Sequence, residues 1–286
     1  MLTVLAPAKI NLTLEVLARR PDGFHEIRSV IQSINLCDSL RLQSSQSIEF
    51  KCDELNWIAE ESLLPGVVDL LRETTGYSKG ARIEISKRIP LVSGLGGDSS
   101  DAAALLRGLN RLWGLGLSQE QLLALAIQLG SDVAFFLYGG TALVGGRGEV
   151  VTPLPPLPRM WVVLMVPEVP RLPGKTGRLY ASLTASHYTD GQITGRLVAG
   201  LKAGEEFRPY FLFNTFENVA FARSSEIRAY REHIMKLGAA DVHLAGSGPA
   251  LFTLVRDKGE AEKIYGSLQE QGVESYIAET LDALSY

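Results

Sequence analysis

Between Gly94 and Ser100 the chain reads Gly-Leu-Gly-Gly-Asp-Ser-Ser, and a helical run follows at Ala102, Ala103, Leu105, Leu106 and Leu109. Glycines ahead of a helix start suit an anion. The first-turn N–H groups lack partners and carry partial positive charge, and without Cβ atoms the backbone can come close. Ser99 and Ser100 add hydroxyl donors. The stretch is not a Walker A loop, because no Gly-Lys-Ser or Gly-Lys-Thr follows. Nor is it a dinucleotide fingerprint, because Ser99 stands where a third glycine would. On residue types alone, a phosphate cradle and a tight strand–helix connection both stay open.

Other residues have chemistry at hand and an ordinary role beside it. Lys9, in Pro7-Ala8-Lys9-Ile10-Asn11-Leu12, heads a strand, where a lone lysine is usually solvated. Asp132, after Gly130-Ser131, is placed to cap a short helix. His25 follows Phe24 beyond a Pro21-Asp22-Gly23 turn, the setting of a surface-loop histidine. Gly246-Ser247-Gly248 lies between two strands and reads as a hairpin turn.

The elements that must position these residues follow from periodicity. Leu12, Leu14 and Val16 alternate with polar residues, and so do the residues from Glu26 to Leu36. Asp38-Ser39 then reads as a bend into Leu40-Arg41-Leu42. Helical spacing covers 63–75, and a strand through Ile83 and Ile85 stops at Pro90. Ser118 and Gln121 form a capping box for a helix that Gly130 ends. The prolines at 153, 155, 156 and 158 mark a boundary near residue 155, giving an amino-terminal lobe over 1–155 and a carboxy-terminal lobe over 156–286. Beyond a buried strand at 161–166, helical runs cover 192–203 and 211–235. Strands at 242–245 and 251–255, a helix at 259–271 and a strand at 274–278 complete an α+β sandwich.

Composition narrows the classes of function. With 28 basic and 32 acidic residues there is no polybasic surface, so nucleic-acid and membrane partners lose support. Two cysteines, Cys37 and Cys52, form no CxxC, and the four histidines are scattered, so no metal site is expected. No apolar run reaches the length of a membrane helix, and the first residues lack the features of a signal peptide. A soluble, cytoplasmic protein is the expectation, as a monomer or homodimer.

Read together, Pro7-x-x-x-Asn11-Leu12, then Pro90-x-x-x-Gly94-Leu95-Gly96-x-x-Ser99-Ser100, then Gly246-Ser247-Gly248 resemble the three ordered motifs of the GHMP kinase superfamily. Arg20-Pro21-Asp22-Gly23-Phe24-His25-Glu26 and Gly130-Ser131-Asp132-Val133 extend the resemblance over nearly the whole chain. The former is similar to the string of members acting on a cytidine-diphosphate compound of the non-mevalonate isoprenoid route. The resemblance implies a two-lobed enzyme with a ribosomal-S5-like amino-terminal lobe and a ferredoxin-like carboxy-terminal lobe, the substrate lying in the cleft between them. It implies ATP and Mg2+ as cofactors, and a small-molecule substrate with a cytidine diphosphate head and a free hydroxyl.

ATP would then lie on Pro90, Gly94, Leu95, Gly96, Gly97, Asp98, Ser99 and Ser100, with Lys87 beside the base. Asp132 would be the general base and Lys9 its charged partner. Asn11 would orient the substrate. Phe24 and Tyr180 (four residues after Thr176) would stack on cytosine, and His25 would read its edge. Gly246, Ser247 and Gly248 would close around the phosphates. A mevalonate-, homoserine- or sugar-type kinase, or a nucleotide-binding module without catalysis, is the alternative.

Three positions depart from the family pattern. Asp98 stands where a third glycine is usual and is expected to face solvent. Glu61-Ser62-Leu63 replaces Glu-Asn-Leu in the adenine region, and Phe24 replaces the commoner Tyr.

Overall fold

The computed structural model describes residues 1–170 and 174–283. It forms two compact units, and each is discontinuous in sequence. The first holds residues 1–8, 37–91 and 96–138, the second 9–36, 92–95 and 139–286. A single cut near residue 155 does not reproduce this division. The prolines there punctuate the chain locally, whereas the units are defined by long-range packing. Two long strands, β1 (Leu2–Arg19) and β2 (His25–Ser45), give residues to both units.

In the first unit, β3 (Ile48–Cys52), α1 (Leu64–Thr75) and β4 (Gly80–Ser86) come next in the chain. They are followed by α2 (Gly97–Trp113), α3 (Gln119–Leu129) and α4 (Val133–Tyr138). β4 pairs antiparallel with the end of β2, from Ser39 opposite Ser86 to Ser45 opposite Gly80, and β3 runs parallel to β4. The helices pack on one another and bury Leu64, Val67, Leu71, Ala102–Leu106, Leu109, Leu122, Leu125, Phe135 and Phe136. The apolar 3.6-residue spacing along α1 and α2 makes those faces. The capping box of α3 forms as its sequence dictates: Ser118 Oγ accepts from Gln121 N, and Gln121 Oε1 accepts from Ser118 N at 2.9 Å. The bend expected at Asp38-Ser39 is absent. β2 runs straight through it, because Asp38 is fully buried and its carboxylate has long-range partners.

The second unit continues with β5 (Thr141–Gly145), β6 (Val150–Pro153), β7 (Trp161–Met165), α5 (Lys175–Ala181) and α6 (Gln192–Ala203). After these come β8 (Phe213–Asn214), α7 (Glu217–Arg223), α8 (Ser225–Lys236), β9 (His243–Leu244), β10 (Leu251–Val255), α9 (Lys258–Glu270) and β11 (Ser275–Glu279). The helical run expected over 211–235 is therefore broken. A short strand and two helices replace it, since Ser224 ends α7 and caps α8 through Ile227 N. Strands β11-β7-β10-β9 form an antiparallel sheet, with β7 central and in register with both neighbours. Ile227 and Ile234 of α8 and Ala261, Ile264 and Leu268 of α9 share one core with Val163, Met165, Leu251 and Val255, which makes the expected sandwich. Residues 29–32 of β2 pair with β5, and β8 pairs parallel to β1 at Thr13 and Leu14.

Candidate active site

In the first unit, the glycines expected to cradle an anion lie at the start of α2. Gly96, with φ 76°, is the N-cap of the 17-residue α2 and supplies no side-chain cap to the first N–H groups of the helix. Ser99 is half-buried. Ser100 is 1% exposed, and its Oγ is buried with no hydrogen-bond partner among the described residues, a hydroxyl in want of a ligand. Asp98 is exposed, as expected. Its carboxylate has a task the sequence hides: both oxygens accept from Leu63 N at 3.2 Å, at the start of α1. An acid at a helix start is electrostatically favourable. Ser62 also serves there, its Oγ accepting from Leu64 N, so Ser62 and Asp98 share one helix terminus.

Lys87, expected beside the adenine, has its ammonium engaged by two acidic side chains. Nζ donates to Asp38 at 2.5 Å and to Asp101 at 2.7 Å, with all three side chains at most 5% exposed. Burial opposes the charge on Lys87, yet the carboxylates of Asp101 and Asp38 outweigh it and raise its pKa above the ordinary value. Burial pushes the Asp101 carboxyl up to about 8 against the pull of Lys87, and Asp38 adds to the rise. Neither aspartate was singled out from the sequence. Asp38 hides behind a turn-like dipeptide, and Asp101 reads as one more polar residue of a helix start. Pro90 closes the segment that begins at the end of β4. Asp132 stands half-buried at the turn Gly130-Ser131-Asp132, where Val133 N donates to Gly130 O ahead of α4.

In the second unit the other half of the glycine loop meets the Gly246 turn. Gly94 has φ 89°, and a Cβ there would stand 2.2 Å from Ala245 O and 2.8 Å from Gly248 N. Only glycine fits this approach of two backbones. Lys9 N donates to Leu95 O at 2.9 Å, which ties β1 to the same loop. Lys9 is 5% exposed and Asn11 4%, so the solvated role open to Lys9 is not its role here. Lys9 Nζ donates to Asn11 Oδ1 at 2.8 Å, Asn11 Nδ2 donates to Ser29 Oγ at 2.9 Å, and Ser29 Oγ donates to Thr13 O at 2.5 Å. A Cβ built on Gly246 would lie 3.1 Å from Lys9 Nζ and 3.4 Å from Asn11 Oδ1, so this turn borders the lysine directly. Thr176 and Ser247 share a hydrogen bond of 2.9 Å between their hydroxyls. Asn214, which sequence reading passed over, holds the turn from beneath: Nδ2 donates to Leu244 O and Gly246 O.

The expected aromatic pocket is arranged differently. Tyr180 stacks on His25, with ring centroids 4.8 Å apart and planes at 21°. That is the separation of two rings in contact, so no pyrimidine lies between them. Phe24 is 53% exposed, and the Arg147 guanidinium lies 4.6 Å from its ring centroid. Phe24 is thus half-exposed beside Arg147, and Tyr180 lies against His25. Burial, and then Arg19, lower the His25 pKa, which favours the neutral ring. Among the described residues no cluster of three His, Cys, Asp or Glu could hold a metal ion, and no helix is long and apolar enough to cross a membrane.

One unit has glycines ahead of a helix start, and the other has a buried lysine with a glycine turn against it; each is a feature that phosphate-handling proteins use. Residues 62–140 match the family described as GHMP kinases N terminal domain, and residues 198–274 match GHMP kinases C terminal. A protein of Dehalococcoides mccartyi named 4-diphosphocytidyl-2-C-methyl-D-erythritol kinase is 49% identical over 99% of this chain and 100% of its own length. One of the same name from Gloeobacter violaceus is 39% identical over 97% of this chain and 94% of its own. The crystal structure of a 4-(cytidine 5'-diphospho)-2C-methyl-D-erythritol kinase aligns at TM-score 0.83 and 33% identity, covering 98% of this chain and 99% of that one. The L. major mevalonate kinase shares the fold at TM-score 0.73 and 16% identity. The chain belongs to the GHMP kinase family.

Proposed function

We propose that this chain transfers the γ-phosphoryl group of ATP to the free 2-hydroxyl of 4-diphosphocytidyl-2-C-methyl-D-erythritol, in the non-mevalonate isoprenoid route. The observation that carries the reading is the full-length identity to relatives of that name, which includes 49% over 99% of the chain. The Pro21-Asp22-Gly23-Phe24-His25 string agrees with it. Alcohol and ATP become a phosphate monoester and ADP, with one proton released.

The fit to ATP rests on the start of α2, the buried Ser100 hydroxyl, which has no partner among the described residues, and the backbone approach at Gly94. Gly94 to Ser100 would hold its phosphates. Mg2+ would arrive on the nucleotide and neutralise phosphate charge there, with oxygen ligands of the kind that cation takes. Asp132 accepts the proton of the attacking hydroxyl, and Lys9 stabilises negative charge on the transferring group. Asn11, fixed through Ser29, holds Lys9 Nζ on one side and orients the substrate. Phe24 offers its ring to the cytosine. His25, held against Tyr180, presents a neutral imidazole edge. Thr176, Ser247 and the flanking glycines Gly246 and Gly248 meet the phosphates. The enzyme works in the cytoplasm as a monomer or homodimer.

The test is ADP release by the purified protein with that compound, ATP and Mg2+. An Asp132→Ala variant is expected to lose about 10²–10⁴-fold in kcat. Faster turnover of mevalonate, homoserine or a sugar would replace the substrate, and wild-type turnover by the Asp132 variant would remove the base.

A further inference from the structure

Three elements converge on one buried ammonium beneath the start of α2. Asp38 comes from β2, Lys87 follows the end of β4, and Asp101 lies in α2 itself. Asp38 is more than a counter-ion: its Oδ1 accepts from Arg88 N at 2.5 Å and Ile89 N at 2.8 Å, while Oδ2 takes Lys87 Nζ. The segment after β4 is therefore gripped by backbone and side chain together. A Cβ added at Gly97 would lie 3.5 Å from Lys87 Nζ and 3.1 Å from Ile89 Cγ2, so the ammonium and Ile89 flank the first residue of the helix and leave little room for a side chain there. Apolar packing would hold α2 in the fold without buried charge, often at less cost. What charged hydrogen bonds add is fixed direction and distance.

We propose that Asp38, Lys87 and Asp101 are positioning residues for the nucleotide, setting the height and orientation of the Gly96–Gly97 backbone against the incoming phosphates. This rests on the reading above that ATP phosphates lie on that loop, and it gives Lys87 a role beneath the phosphates rather than beside the base. Two carboxylates and one ammonium would leave a net negative charge under an anion site. Burial favours the protonated form of Asp101, which relieves that repulsion.

Equilibrium binding of MgADP and MgGDP to the purified full chain tests the proposal without any acceptor substrate. A failure of the acceptor assay with normal ADP binding would strike the proposed function alone. Asp101→Ala leaves Lys87 paired with Asp38, so the cluster stays charge-balanced and the chain is expected to fold. Both nucleotides should weaken by about tenfold and in the same ratio, a modest misplacement of the grip. Asp101→Asn, which keeps an acceptor for Lys87, should restore binding to within about threefold. If the acceptor assay succeeds, KM for ATP should rise in the Ala variant with kcat held. Unchanged ADP binding by Asp101→Ala overturns the proposal, and so does an equal loss in both variants. To separate base reading from positioning, Lys87→Arg is compared with wild type: a collapse of the ADP-over-GDP preference returns Lys87 to the base and also overturns it.

Discussion

Two buried lysines, one in each unit, meet opposite fates. Lys87 is driven toward neutrality by burial, yet two carboxylates at 2.5 and 2.7 Å hold it charged above its ordinary pKa. Lys175, at the start of α5, has a buried Nζ with no hydrogen-bond partner among the described residues, and burial alone takes it down to about 8. Desolvation acts in the same direction on both, so the partners decide the outcome. The first lysine joins three elements. The second has no partner among the described residues and lies one residue before Thr176, whose hydroxyl meets Ser247.

The largest effect that would break this contrast is Lys87→Met. It leaves the buried Asp38 carboxylate without its cation and Asp101 without a partner, and should cost about 3–5 kcal/mol of stability, read by denaturant unfolding. A loss no greater than an exposed lysine shows would mean that the cluster is not buried in solution. Asp101→Asn should act more gently and with a pH signature. Lys87, Asp38 and Asp98 face this carboxyl, and Cys52 on β3 feels its charge. A folded pKa of about 8 against 3.8 means that the folded state binds more protons than the unfolded state between those values, so stability falls as pH rises through that window. The Asn variant should match wild type near pH 4 and exceed it in melting temperature above pH 8. Parallel curves would assign the proton elsewhere.

Lys175→Met should change stability least and in the opposite sense, a gain of about 1 kcal/mol from removing a buried group that no described residue partners. Here the folded pKa lies below the ordinary 10.5, so the folded state binds fewer protons and wild-type stability rises with pH between about 8 and 10.5. The advantage of the Met variant should be full at neutral pH and shrink toward pH 10.5. The pair of pH profiles should therefore slope in opposite directions, and profiles of the same sign would end the comparison.

Local features were readable because their causes lie within a few residues. The capping box at Ser118 and Gln121, the helix start after Gly96 and the short apolar run of β10 need no distant partner. The ordered motifs around Lys9, Gly94 and Gly246 were legible too, as residue types whose combination suits phosphate chemistry. Asp38 was not. Its dipeptide with Ser39 reads as a bend, and its partners lie 49 to 51 residues away, where no window of sequence could show them. Nor could spacing reveal that Tyr180 rests on His25, 155 residues apart in number, or that Asn214 braces the turn at Gly246.

By itself the sequence determined the family, the fold class, the helix starts and the types of residue able to hold phosphate. Each depends on backbone preference, periodicity or a motif carried within a short segment. Tertiary structure alone decided which charges neutralise one another and which aromatic face stays open. Those outcomes depend on burial and on contacts between segments far apart in the chain, and desolvation acts only once the chain has folded around the group.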